Sequence, residues 1–171
     1  PKLNKGNEVV LSYGSFERAQ LGVDINGSIS QDDKWIGRFV GLYRDPDSQV
    51  DYVTDDTQVL MPSLSFMPSD NTTLTLMGLF QDTESDTAAQ FIPVEGTLLA
   101  LADGTYLPDQ DVYTGEPGFN KFDTSSNQVT LLGEHYFDDT MSLSFTALWR
   151  DGDADYHQAW TAFTGGTRYL N

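Results

Sequence analysis

Apolar and polar residues alternate with a period of two over several separate stretches of this chain. In AQLGVDINGS (19–28), Ala19, Leu21, Val23 and Ile25 alternate with Gln20, Asp24 and Asn26. In MSLSFTALWR (141–150), Met141, Leu143, Phe145, Ala147 and Trp149 do the same, and only Leu148 breaks the polar row. TTLTLMGLFQ sets Leu74, Leu76 and Phe80 on one side; WIGRFVGLYR sets Trp35, Phe39 and Tyr43 opposite Arg38 and Arg44. A period of two belongs to a strand with one apolar and one wet face, not to a helix. With weaker alternation in 8–14, 58–67 and 127–137, the pattern predicts seven strands and no helix. Most are about 9–11 residues long, the length a tilted strand needs to cross a bilayer.

The connections sort by length. Three are short and alike: SQDDKW (30–35), PSDNTT (68–73) and FDDTMS (137–142), each with an Asp-Asp or Asp-Asn pair suited to a hairpin turn. Those between them are long and acidic, apart from the short YGSFER. Residues 44–58, 82–124 and 150–157 carry −4, −8 and −2, which together hold −14 of the net charge of −17. The acidity therefore gathers on one rim. Short turns at one end and long loops at the other predict an up-and-down antiparallel meander. Aromatic residues near the strand ends (Tyr13, Trp35, Tyr43, Phe66, Phe80, Tyr136, Trp149) add the girdles of an outer-membrane barrel. A soluble, acidic β-sandwich with a binding or adhesive role also alternates, and stands as the competing reading.

Composition narrows the function. Nine basic against 26 acidic residues argue against a nucleic-acid partner and against an anionic cytoplasmic membrane surface. Without cysteine there is no disulfide, thiolate cluster or thiol nucleophile, and His135 and His157 alone cannot make a histidine metal triad. The opening PKLNKGNEVV has no apolar core of a signal peptide, and no run of about 18 apolar residues offers a spanning helix. No nucleophile elbow or Ser-His-Asp set appears, so no enzymatic role is expected. The acids of DGDAD (151–155) with Asp45, Asp47 and Asp51 lack the full spacing of a calcium loop, and read as a solvated rim.

Several motifs in order carry a resemblance: VGLYRDPDSQVDYV (40–53), MPSLSFMPSDNTTLTLMGLFQ (61–81), QFIPVEGTLL (90–99), GEPGFNKFD (115–123) and GEHYFDDTMSLSFTALWRDGDADY (133–156). Together they resemble the TonB-dependent ferric-siderophore receptors, most closely the ferrichrome and hydroxamate-type branch. The resemblance implies an all-β fold, with residues 1–171 forming about seven strands of a 22-strand transmembrane β-barrel. The plug domain, the TonB box and about fifteen further strands of the family would lie outside this chain. It also implies an outer-membrane location, with membrane lipid and lipopolysaccharide as surroundings and the TonB complex as a partner reached through the plug. The cargo would be iron(III) held in its siderophore chelate, with no cofactor or metal bound directly by the protein.

The resemblance places Phe91 where these receptors set an aromatic ring against the siderophore. Ala89 stands where some relatives have a second ring. Beside Phe91, Gln90 offers an amide to a hydroxamate or peptide carbonyl, and Tyr113 and Phe119 are candidates for an aromatic wall. In TGEPGFNKFD (114–123), Gly and Pro set a bend, and Phe119 and Phe122 are expected to pack the loop onto the barrel mouth. Arg38, Arg44 and Arg150 have the polar parity and are expected to face the lumen, where they would pair with plug carboxylates.

Overall fold

The computed structural model describes residues 6–87, 92–106 and 113–159, and the backbone of 169–170. Seven strands make one antiparallel sheet in chain order: β1 (Glu8–Tyr13), β2 (Ala19–Ser28), β3 (Trp35–Asp45), β4 (Asp56–Ser69), β5 (Thr72–Glu84), β7 (Lys121–Tyr136) and β8 (Ser142–His157). Two further two-residue strands, β6 (Ile92–Pro93) and β9 (Tyr169–Leu170), pair with each other. The three acidic turns lie at one end of the sheet, and the loops 14–18, 46–55 and 85–120 lie at the other. In the last short turn, Asp138 Oδ1 accepts from the backbone N of Thr140 (2.7 Å) and Met141 (2.9 Å), so its carboxylate closes the bend. These bonds, with the Thr140 hydroxyl foremost, hold the Asp138 carboxyl below the usual carboxylate range.

The register assigns the faces. One row across the sheet reads Ile25, Phe39, Pro62, Gly78, Val129 and Trp149; the next reads Leu64, Leu76, Leu131 and Ala147; the next Trp35, Phe66, Leu74, Gly133 and Phe145. The apolar residues expected on one side thus share one face. Trp35 and Phe66 stack at 4.3 Å near its turn end. Glycines interrupt the apolar rows, and neighbouring rings fill the gaps. A Cβ on Gly133 would strike the Phe145 ring; one on Gly78 would lie 2.8 Å from Phe80. Capping a strand glycine with an aromatic ring restores the packing that the missing side chain forfeits.

The opposite face carries Asp24, Arg38, Arg44, Ser65, Thr75, Gln128, Thr130 and Arg150, with some apolar neighbours. Every buried non-glycine side chain of the sheet has this parity: Ile36, Thr57, Ser65, Thr75 and Thr130. The apolar face holds Leu76 at 47 %, Phe145 at 45 % and Trp149 at 58 % exposure. Side chains crowd on the inside of a curved sheet and splay on the outside, so the polar face is concave and the apolar face convex. This is the facing of a barrel wall, with lipid outside and a polar lumen inside. Two buried hydroxyls, Ser65 and Thr75, satisfy each other at 2.6 Å on the concave side.

Three boundaries differ from the sequence expectation. β5 runs on to Glu84, β7 begins at Lys121, and β8 continues to His157, so the DGDAD segment is strand and not loop. At about 3.3 Å per residue, a 16-residue strand is roughly 50 Å long, twice an apolar band of about 25 Å. The upper parts of these strands stand clear of the bilayer.

Candidate functional site

Above the apolar band, the convex face turns acidic. Asp56 lies opposite Glu84 and Asp123 opposite Asp155, and the same register aligns Asp45 beside Asp56 and Glu84 beside Asp123. Five carboxylates therefore cross five strands in one row. Burial, then the carboxylates of Asp45, Glu84 and Asp47, pushes the Asp56 carboxyl above its ordinary value. Lys121 bonds Asp123 at 3.1 Å and also Asp155, His157 Nε2 lies 3.2 Å from Asp155 Oδ1, and the Tyr43 hydroxyl donates to Asp45 at 3.4 Å. Among the described residues, no group of three or more acids and histidines has the arrangement to hold a metal ion.

The segment TGEPGFN is a built turn. The backbone N of Phe119 and Asn120 both donate to Glu116 O, at 3.0 and 3.2 Å. Gly118 sits at φ +74°, where a side chain is strained. Gly115 lies beneath Tyr113 and Asn120: a Cβ there would strike Asn120 Nδ2 and approach the Tyr113 ring to 2.8 Å. Asn120 is fully buried.

From this turn the rings diverge. Phe119 stacks on His157 at 5.4 Å, and His157 has the parity of the convex face. Phe122 meets Tyr156 edge to face at 5.6 Å, with the parity of the concave face. The two phenylalanines therefore do not form one clamp. Tyr113 lies 5.7 Å from Tyr52 of the loop 46–55 and donates its hydroxyl to Thr87 O at 3.5 Å. Burial first, then Asp86 and Glu116, raises the Tyr113 hydroxyl above its ordinary value. The loop 46–55 is pinned to the long loop by Ser85 Oγ donating to Thr54 O at 3.0 Å. Gln90 and Phe91 lie outside the described residues.

The structure thus joins Tyr113 to Tyr52 and keeps Phe119 apart. Tyr52 and the Phe122–Tyr156 pair escaped the sequence reading. Counting back from Gln128 in steps of two, through Ser126 and Thr124, reaches Phe122 and would have put it on the luminal side.

Arg38, Arg44 and Arg150 have the concave parity, as expected. Arg38 is held by Asp24 through two bonds, at 2.8 and 2.5 Å, and Arg44 by Asp55 at 2.6 Å and Thr57 at 3.1 Å. Both are neutralised by this chain's own carboxylates. Arg150 shares the concave parity with Gln128 across the ladder.

A wall apolar on its convex side, polar on its concave side and crowned by ring-bearing loops is a segment of a transmembrane β-barrel. No family model matches the chain. It is 27 % identical over 143 residues to the ferrioxamine B receptor of Salmonella typhimurium, covering 84 % of this chain and 20 % of that protein. To the ferrichrome outer membrane transporter/phage receptor of Escherichia coli K12 it is 26 % identical over 136 residues, 80 % of this chain and 18 % of that one. The chain spans about a fifth of the length of these curated relatives. In fold it is similar to the ferric-catecholate import receptor Fiu of E. coli K12, with a TM-score of 0.78 at 20 % identity, covering 92 % of this chain and 25 % of that one. The siderophore receptor PiuA of Acinetobacter baumannii gives 0.73 at 18 %. The chain is a relative of the TonB-dependent ferric-siderophore receptors, matching part of their barrel. These relatives are receptors and transporters, not enzymes, and the outer membrane is their location. The soluble sandwich is not favoured.

Proposed function

We propose that residues 1–171 form part of the barrel wall and of the outer capture surface of a receptor for ferric siderophores. The observation that carries this reading is the one-sided wall: a continuous apolar band below, and strand ends and loops bearing aromatic rings directly above. Further strands would complete a 22-strand barrel, and a plug outside this chain would pass on the energy supplied by the TonB complex. The convex face would meet membrane lipid and lipopolysaccharide. No nucleic acid takes part.

The cargo is iron(III) in its chelate, so the protein supplies no ligand to the metal. A hydroxamate is the favoured class, because ferrioxamine and ferrichrome name the curated relatives. Phe91 presents the leading ring and Gln90 an amide for a carbonyl oxygen, with Tyr113 and Phe119 as flanking rings. An aromatic ring gives apolar area at little conformational cost, and Tyr adds a hydroxyl. In the intact receptor carrying this segment, Phe91→Ala should weaken ferrioxamine B binding by about 1 kcal/mol or more while the barrel assembles normally. Unchanged affinity in a correctly assembled receptor would remove Phe91 from the site.

A further inference from the structure

We infer that Asn120 is a positioning residue, whose side-chain amide fixes the long loop 85–120 to the chain leaving β8 and so sets their ring-bearing surfaces as one unit. The β7–β8 ladder ends at Lys121 opposite His157; continued in that register it would set Asn120 opposite Gln158 and then Phe119 opposite Ala159. The main chain does not continue the ladder, because the backbone N of Phe119 and Asn120 turn back on Glu116 O. Asn120 takes over. Its Nδ2 donates to Ala159 O at 2.8 Å, and the Ala159 N donates to its Oδ1 at 2.9 Å. A primary amide carries the same donor and acceptor as a peptide group, so one side chain replaces one rung of the ladder. Oδ1 also accepts from Glu116 N at 3.3 Å, which ties the turn to the same point.

The amide is fully buried although the surrounding loops are wet. Removing it would leave the donor and acceptor of residue 159 unpaired in a site sealed by Tyr113 and by Gly115, which has no room for a side chain. A carboxylate at 120 would face the Ala159 carbonyl with no proton to offer. A second tie joins the same two chain segments independently: Ile92–Pro93 of the long loop pairs with Tyr169–Leu170 beyond β8. Phe119, next to Asn120 in the chain, stacks on His157, and Tyr113, whose ring closes on the same Gly115 position as Asn120 Nδ2, lies against Tyr52. The amide acts on a ligand through these rings and need not touch it.

The consequence for binding rests on the reading of these loops as the capture surface; the coupling of the loops does not. Both are tested in the intact receptor carrying this segment, with Asn120→Asp and Asn120→Ala. Hydrogen exchange should show the Ala159 amide exchanging at least tenfold faster in Asn120→Ala, with faster exchange at 116–119 and unchanged protection in β5 and β7. Affinity for ferrioxamine B should fall about tenfold in both variants at pH 8. In Asn120→Asp it should recover as the pH falls to about 5, because the protonated carboxyl regains a donor for Ala159 O. A simple packing defect would not recover with pH. Unchanged exchange at Ala159, or an Asn120→Asp defect indifferent to pH, would overturn the inference. Should the unaltered receptor bind no ferrioxamine B, the substrate reading falls, and the exchange measurement alone decides on Asn120.

Discussion

The lower and upper halves of β5, β7 and β8 share one unbroken hydrogen-bond ladder, yet their side chains follow different rules. Below, Leu74, Leu76, Leu131, Phe145 and Trp149 occupy one parity and Thr75, Thr130, Ser144 and Thr146 the other. Above, Asp82, Glu84, Asp123, Asp151, Asp153 and Asp155 continue the parity of the leucines, while Thr83, Thr124 and Ala154 continue that of the threonines. The backbone is indifferent to this change and the solvent is not. Where lipid lies on one side, an apolar side chain is required there. Where water lies on both, the ladder alone holds the strand, and charge is free to collect.

The largest effect that separates the halves is a charge placed on the convex parity of one strand. Leu76→Arg, in the middle of the apolar rows, should cost roughly 2–4 kcal/mol of barrel stability. Asp82→Arg, six residues along the same strand and on the same face, should cost less than about 0.5 kcal/mol, as an exposed surface change does. Urea unfolding of the intact receptor in lipid vesicles measures both. Equal costs would mean that one solvent bathes both halves.

Much of the fold was legible because the lower half imposes that rule on the sequence. The seven strands, their order and the three Asp-rich turns all follow from it. Legibility stops where the bilayer stops. DGDAD has no apolar parity, so nothing in it marks β8 as continuing from Arg150 to His157. Glycines blurred the pattern in a different way. Gly41, Gly78 and Gly133 read as gaps in apolar rows, and only the packing shows the rings of Phe39, Phe80 and Phe145 lying over them. The site was less legible still. Tyr52 joins Tyr113 across 61 positions, and Asn120 reaches Ala159 across 39, contacts that no local pattern encodes. Nor does the β6–β9 pair, two residues on each side, leave any periodic trace.

A smaller effect sharpens the account of the upper half. Asp56 sits between Asp45 and Glu84 in the carboxylate row, and its carboxyl is raised by burial and by these neighbours. A carboxyl raised in the folded state costs stability when ionised. That cost is present above the raised value and disappears as the pH falls through it toward the ordinary 3.8. Asp56→Asn should therefore stabilise the receptor at pH 7.5 by roughly 0.2–1 kcal/mol, the scale of relieving like charges set opposite each other in a sheet. Near pH 4 the gain should shrink toward zero. Unfolding midpoints at the two pH values check this, and a gain of equal size at both would leave the charge row without energetic meaning.

The central claim is that one continuous strand leaves lipid partway along its length. The chain has no cysteine, so single cysteines can be introduced one at a time from 142 to 157 and spin-labelled in the intact receptor in bilayers. Collision with oxygen, which concentrates in lipid, is then compared with collision with a water-soluble paramagnetic reagent. Labels at 143, 145, 147 and 149 should meet lipid and those at 144, 146, 148 and 150 should not, whereas labels from 151 to 155 should meet water at either parity. No two-residue rhythm below Trp149, or a rhythm of lipid contact persisting to Asp155, would contradict the account.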